Sequence, residues 1–259
     1  MTQILYHFLL HMGWGMLATL PLVPPRAIAR SYFVVNVLCV MGLWITAIAL
    51  ASGGDLGRLD LWTTGAVAAL MIGFMLDPAE SPRAAGAFLF VALGLSTVSI
   101  LLGAQSLAGE ALHTRGWFLS LSFAVSGLLV GGTLVSMILG HYYLVSPELS
   151  FGFLGKYAKV IGVLLALRVL LTLVPVFTAD LFARPEGAHA GIFFVDHLAF
   201  LLQRGLTMIA LAVLLPMILD CVKRRANQSA TGLLYVASFL AVMGEGVATY
   251  FAVAYGLPI

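Results

Sequence analysis

Five side chains in this sequence could do chemistry where their neighbours suit only hydrocarbon: His11, Arg168, His197, Arg204 and Glu245. Ionisable groups at bilayer depth are costly, so those that persist there pair with one another, bind something or line a pathway. His11 and His197 form the sharpest combination. Counted along their predicted helices, both lie ~8–10 Å from the same membrane face at the usual helical rise. Two imidazoles at matched depth could ligate one haem iron axially, which makes haem b the expected cofactor. They could equally bind a metal ion, or hydrogen-bond neighbouring helices as packing groups.

Arg204 and Glu245 are each about twelve residues inside adjacent antiparallel helices, a depth of ~18 Å. An ion pair follows, because either charge alone at that depth would be expensive. Glu245 is flanked by Gly244 and Gly246, which open space for a second role, proton exchange or ligand contact. Arg168, about ten residues into the sixth helix, could join this cluster or neutralise an anionic group such as a haem propionate. His197 and Arg204 are seven residues apart and share one helical stripe, with Asp196 and Gln203 beside it. That stripe suits an imidazole ligand with a propionate or quinone partner, and it equally suits a polar pathway.

His7 and His11 also share a face, being four residues apart. Met12 and Met16 lie nearby, a composition that favours soft copper, although the two thioethers project at other angles. At the opposite membrane face the run Gly140-His141-Tyr142-Tyr143 ends the fifth helix. His141, Tyr142 and Tyr143 are expected to anchor in the interfacial belt, with a headgroup or quinone site formed with Glu148 and Lys156 as the sharper alternative. His113 and His189 are expected in solvated outer loops.

The elements that must position these groups follow from composition. Hydrophobic residues make up 61% of the 259-residue chain and charged residues 9%, and the mean hydropathy is +1.06. Soluble domains carry roughly a quarter charged residues, so a bilayer is the solvent that explains the sequence. The expected fold is all-α, a polytopic single integral membrane domain over 1–259. Eight apolar runs can span ~30 Å of hydrocarbon: 4–23, 32–51, 61–76, 87–106, 117–140, 158–179, 191–219 and 231–256. Connections of about ten residues leave no room for a nucleotide-binding loop or a catalytic head. The first run lacks a basic n-region and an A-x-A-like site, and two histidines interrupt it, so it does not read as a cleaved signal peptide. Cys39 and Cys221 fall in or at the end of spans, where the default role is apolar packing.

Lysine and arginine favour one set of connections. The first, third, fifth and seventh hold Arg26, Arg30, Arg83, Lys156, Lys159, Lys223, Arg224 and Arg225, whereas the others hold Arg58, Arg115 and Arg184. The positive-inside rule makes the odd connections cytoplasmic and places both termini outside, in what is expected to be a bacterial inner membrane. Two halves, 1–110 and 111–259, share features. Each runs from an apolar span into a Pro-containing basic loop, and Ala84–Ala92 reads like Ala230–Ser238. Two four-helix halves would have the same orientation, because four is even. Gly127-x-x-x-Gly131 permits close helix approach, and Pro175 and Pro216 interrupt their helices.

No phosphate loop, dinucleotide fingerprint, H-E-x-x-H or zinc-type cysteine pair occurs, nothing supports nucleic-acid binding, and no catalytic residue is assigned. The leading expectation is a membrane redox subunit that interacts with haem b, quinone or both. One alternative is a transporter or channel moving protons, ions or a small anion past His197, Arg204 and Glu245. The other is a structural or assembly subunit of a larger membrane complex. In span count and scattered histidines the chain is broadly similar to the haem A synthase group and to copper-resistance membrane proteins, with no histidine pattern that carries over residue by residue. Membrane lipid is the partner common to every reading.

Overall fold

Residues 2–51, 57–75, 82–108, 113–145, 149–150, 152–177 and 198–255 are described by the structure, a computed structural model. Among them the chain is helical, with no strands: α1 (Thr2–Thr19), a short 3-10 turn (Leu20–Leu22), α2 (Arg30–Ala51), α3 (Gly57–Met75), α4 (Pro82–Ala108), α5 (His113–Val145), α6 (Gly152–Phe177), α7 (Leu198–Lys223) and α8 (Asn227–Tyr255). Six of these, α2 and α4 through α8, are long and apolar enough to cross a membrane, as a helical membrane protein requires, and α3 contains a shorter apolar stretch, Leu61–Phe74. Large apolar side chains such as Val163, Leu206 and Phe239 are more than 60% exposed, which fits a bundle whose outside meets lipid rather than water.

Helix ends depart from the hydropathy reading in ways the residues explain. α1 stops at Thr19 rather than Val23, because Pro21 enters the 3-10 turn and Pro24-Pro25 hold the following backbone out of the α region. α5, α6 and α8 extend beyond their apolar runs at the basic end. A helix can continue into the polar interface after its hydrocarbon-compatible residues are spent. Pro216 lies inside a continuous α7. His113 is the first residue of α5 rather than part of a loop. α7 closes with Ala226 N–H donating to the Cys221 carbonyl and Arg225 N–H to that of Val222. Arg225 takes φ 56°, the left-handed position that usually falls to glycine in this helix-ending motif.

α5 is the central helix, packed against α1, α2, α4, α6 and α8. Its contact with α1 is backbone on backbone. A Cβ on Gly15 would lie 1.7 Å from the Gly127 carbonyl oxygen, and one on Gly131 would lie 2.1 Å from the Gly15 backbone. Only glycine fits there, as the GxxxG spacing implies. At the basic end the Tyr157 hydroxyl donates to the Thr19 carbonyl at 2.8 Å, and Thr231 Oγ1 donates to that of Gly140 at 3.0 Å. These bonds gather the end of α1, the end of α5 and the starts of α6 and α8 at one end of the bundle.

Candidate functional site

Two polar centres stand nearer the opposite end of the bundle. The first is on α1. His7 and His11 share its buried face, each 1% exposed, and both rings lie over Phe123 of α5, with centroids at 5.9 and 4.2 Å. The two imidazole centroids are 5.9 Å apart. Close packing is possible because α4 offers Gly103, where a Cβ would come within 2.6 Å of His7 Cε1. Neither ring nitrogen of His11, nor Nδ1 of His7, has a hydrogen-bond partner. A neutral imidazole carries one donor and one acceptor, so His11 has buried both capacities without using either among the described residues.

The second centre is charged and spans four helices. Glu245 of α8 is fully buried between two guanidiniums. Arg168 of α6 donates from Nε to Glu245 Oε2 at 2.9 Å and from Nη1 to Ser122 Oγ of α5 at 2.8 Å. Arg204 of α7 places Nη1 2.8 Å from Glu245 Oε1. That is ion-pair distance, and among the described residues Arg204 Nε and Nη2 have no hydrogen-bond partner. Gly244 makes the approach possible, since a Cβ there would meet Thr207 Oγ1 at 2.5 Å and Arg204 Nη1 at 3.1 Å. The two centres adjoin through consecutive residues of α5, because Ser122 serves Arg168 while Phe123 carries the histidines.

Thus Arg168, Arg204 and Glu245 come together, and His11 sits in the neighbouring centre with His7. His197 and Asp196 lie outside the described residues, and so does Glu148. At the other end His141 is exposed and Tyr142 half-buried, edge-on to Tyr32. Tyr143 is buried, and its hydroxyl donates to the Ser150 carbonyl. Cys39 is exposed on α2 and Cys221 half-buried on α7.

No family model matches the chain, and neither a curated protein nor a solved structure gives a significant match. The chemistry therefore has to be read from the side chains themselves. Among the described residues no group of three or more His, Cys, Asp or Glu could hold a metal ion. Met12 and Met16 do not alter that, since Met16 packs in the apolar core.

A third polar group was not anticipated from the sequence. The Tyr6 hydroxyl of α1, Thr63 Oγ1 of α3 and Ser99 Oγ of α4 lie 2.8, 3.3 and 3.0 Å apart as a hydroxyl triangle. Tyr6 also stands edge-on to His7 at 5.4 Å. Nearby, Trp14 Nε1 donates to Thr97 Oγ1 at 2.8 Å. Ser122 was missed in the same way, although its i, i+4 spacing to Ser126 on one face of α5 is a usable signal.

Proposed function

We propose that the chain is an integral membrane redox subunit that holds a redox-active group at His11, haem b in preference to a metal ion, and exchanges electrons with a quinone or a neighbouring membrane subunit. The observation that carries this reading is the pair of unpartnered ring nitrogens on His11, buried inside the bundle. Leaving buried donors and acceptors unused costs about 1–3 kcal/mol each, and a ligand bond at one nitrogen with a hydrogen bond at the other would remove that cost. His11 would hold the iron, and His197, which lies outside the described residues, would be its partner in doing so. The haem itself would supply one-electron chemistry. The bundle's part is to keep water from the His11 face, which Phe123 covers.

The test is the reduced-minus-oxidised spectrum of detergent-purified protein, grown with ample haem precursor, for the wild type, His11→Ala and His197→Ala. A Soret band that is lost or shifted in both variants is expected. Its absence from the wild type, or its survival unchanged in both variants, overturns the proposal.

A second reading, a transporter or channel for protons, ions or a small anion, is favoured by the Arg168–Glu245–Arg204 cluster. Charges of both signs inside a bundle are what a solute path through the membrane needs. Flux of protons or chloride into vesicles, compared between the wild type and Glu245→Gln, separates this reading from the first.

The proposal includes about eight spans arranged as two four-helix halves of like orientation. Recurring contacts support it: α1–α2, α2–α3, α3–α4 and α1–α4 have counterparts in α5–α6, α6–α7, α7–α8 and α5–α8, and α4–α5 has one in α1–α8. Odd connections in the cytoplasm and both termini outside are part of the same proposal. Reporter fusions at Arg26, Lys223 and the C-terminus test it, and a cytoplasmic C-terminus would overturn it.

A further inference from the structure

The Arg204 guanidinium has two usable edges, and only one is occupied. Nη1 faces Glu245, while Nε and Nη2, whose N–H bonds run parallel along another edge of the same plane, have no hydrogen-bond partner among the described residues. The residue is 4% exposed, so solvent does not complete the fork. Arg168 is arranged differently, because it uses Nε on the shared carboxylate and Nη1 on Ser122. Orienting contacts surround Arg204 on its occupied side. Glu245 holds Nη1, and the bare backbone of Gly244 lets α8 approach both Nη1 and Thr207 Oγ1. Thr207 in turn donates to the Arg204 carbonyl at 2.8 Å. Nη1 is thereby held toward Glu245, and the Nε/Nη2 edge is left unpaired among the described residues.

From this geometry we propose that the Nε/Nη2 edge of Arg204 is a binding site for a carboxylate, held side-on by two parallel charge-assisted hydrogen bonds. A planar group with two oxygens takes one straight hydrogen bond from each donor of that fork, whereas a spherical anion set between the two donors bends both bonds. The carboxylate could belong to a tightly held prosthetic group or to a free small acid. The site does not depend on the redox reading, because nothing in the fork requires His11 to be ligated.

Two measurements on the full-length protein in detergent test it. In the first, thermal unfolding is followed against sodium acetate and sodium benzoate, with sodium chloride at equal ionic strength as the control, for the wild type and Arg204→Lys. In the second, denaturing mass spectrometry of both purified proteins looks for a carboxylate-bearing group near one per chain. A free-acid site gives a saturable rise in the wild-type midpoint with the carboxylates but not with chloride, and about tenfold weaker binding in Arg204→Lys, which keeps the charge but loses the fork. A resident prosthetic group gives no response to added acid, but a stoichiometric acidic group that is depleted in Arg204→Lys. If Arg204→Lys does not fold, the wild-type comparison of carboxylate with chloride and the extracted ligand decide alone. Equal effects of carboxylate and chloride together with no extracted acid overturn the proposal, as does undiminished binding in a folded Arg204→Lys. Haem in the extract upholds both proposals; a colourless acid upholds the Arg204 site while leaving the redox reading without its cofactor.

Discussion

Tyr6, Thr63 and Ser99 tie together α1, α3 and α4 of the first four helices, and Ser122, Arg204 and Glu245 stand on α5, α7 and α8 of the last four, with Arg168 of α6 joining them. The alignment that sets Ala84–Ala92 on Ala230–Ser238 also sets Ser99 on Glu245. One centre is neutral and the other charged. In the hydroxyl centre each group can both donate and accept. Guanidinium groups only donate and a carboxylate only accepts, so the charged centre depends on exact partner number. Its surplus of donors emerges as the open fork of Arg204. Neutral polar groups here tie helices together; charged ones do so too, but leave capacity for something else.

The largest test of this contrast is Glu245→Ala. It removes the carboxylate that both Arg168 and Arg204 face, and should lower stability by ~3–5 kcal/mol, as expected when one partner of a buried ion pair is deleted. Unfolding in a denaturing detergent series reads the loss. Replacing Arg204 and Glu245 together by Met and Leu should recover little of it, because Arg168 Nε still loses its acceptor. Full recovery would mean that Arg168 contributes nothing to the cluster.

Next in size is Gly131→Val, which drives a side chain into the α1 backbone and should cost ~1–3 kcal/mol or more through overpacking. Because this seam joins the first four helices to the last four, both centres should loosen together; cysteine accessibility introduced at Ser99 and at Ser126 would report whether they do. Ser99→Ala should cost only about 1 kcal/mol, since Tyr6 and Thr63 remain bonded to each other. A loss equal to that of Glu245→Ala would remove the distinction between the centres. The smallest effect is expected for Gly94→Ala, where a Cβ meets nothing within 4 Å; helix propensity alone should make it neutral or stabilising by up to ~1 kcal/mol.

The charged centre was more legible in the sequence than the neutral one. Arg168, Arg204 and Glu245 stand out because a charge in an apolar run has few explanations, and counting along antiparallel helices matches Arg204 with Glu245. Serine and threonine are cheap in helices because they can bond to the preceding turn, as Ser96 and Thr97 do. Nothing in local sequence therefore distinguishes Ser99, and only the spacing to Ser126 marks Ser122, although both reach across to other helices. The proximity of His7 and His11 was visible from their spacing, but Phe123, more than a hundred residues away, was not. Long-range pairing of an aromatic ring with an imidazole leaves no periodic trace.

The glycine seam between α1 and α5 also bears on how the chain is made. If α1 is one of eight spans, as proposed above, it enters the membrane while α5 is still unsynthesised, and the face it then shows carries Gly15, His7 and His11 without Gly127, Gly131 or Phe123 to cover them. Until the fifth helix arrives, His11 would lack the Phe123 ring and His7 would have α4 alone of these two helices beside it. A chain arrested after α4 should accordingly be held by insertion chaperones or degraded, and release should coincide with the emergence of α5.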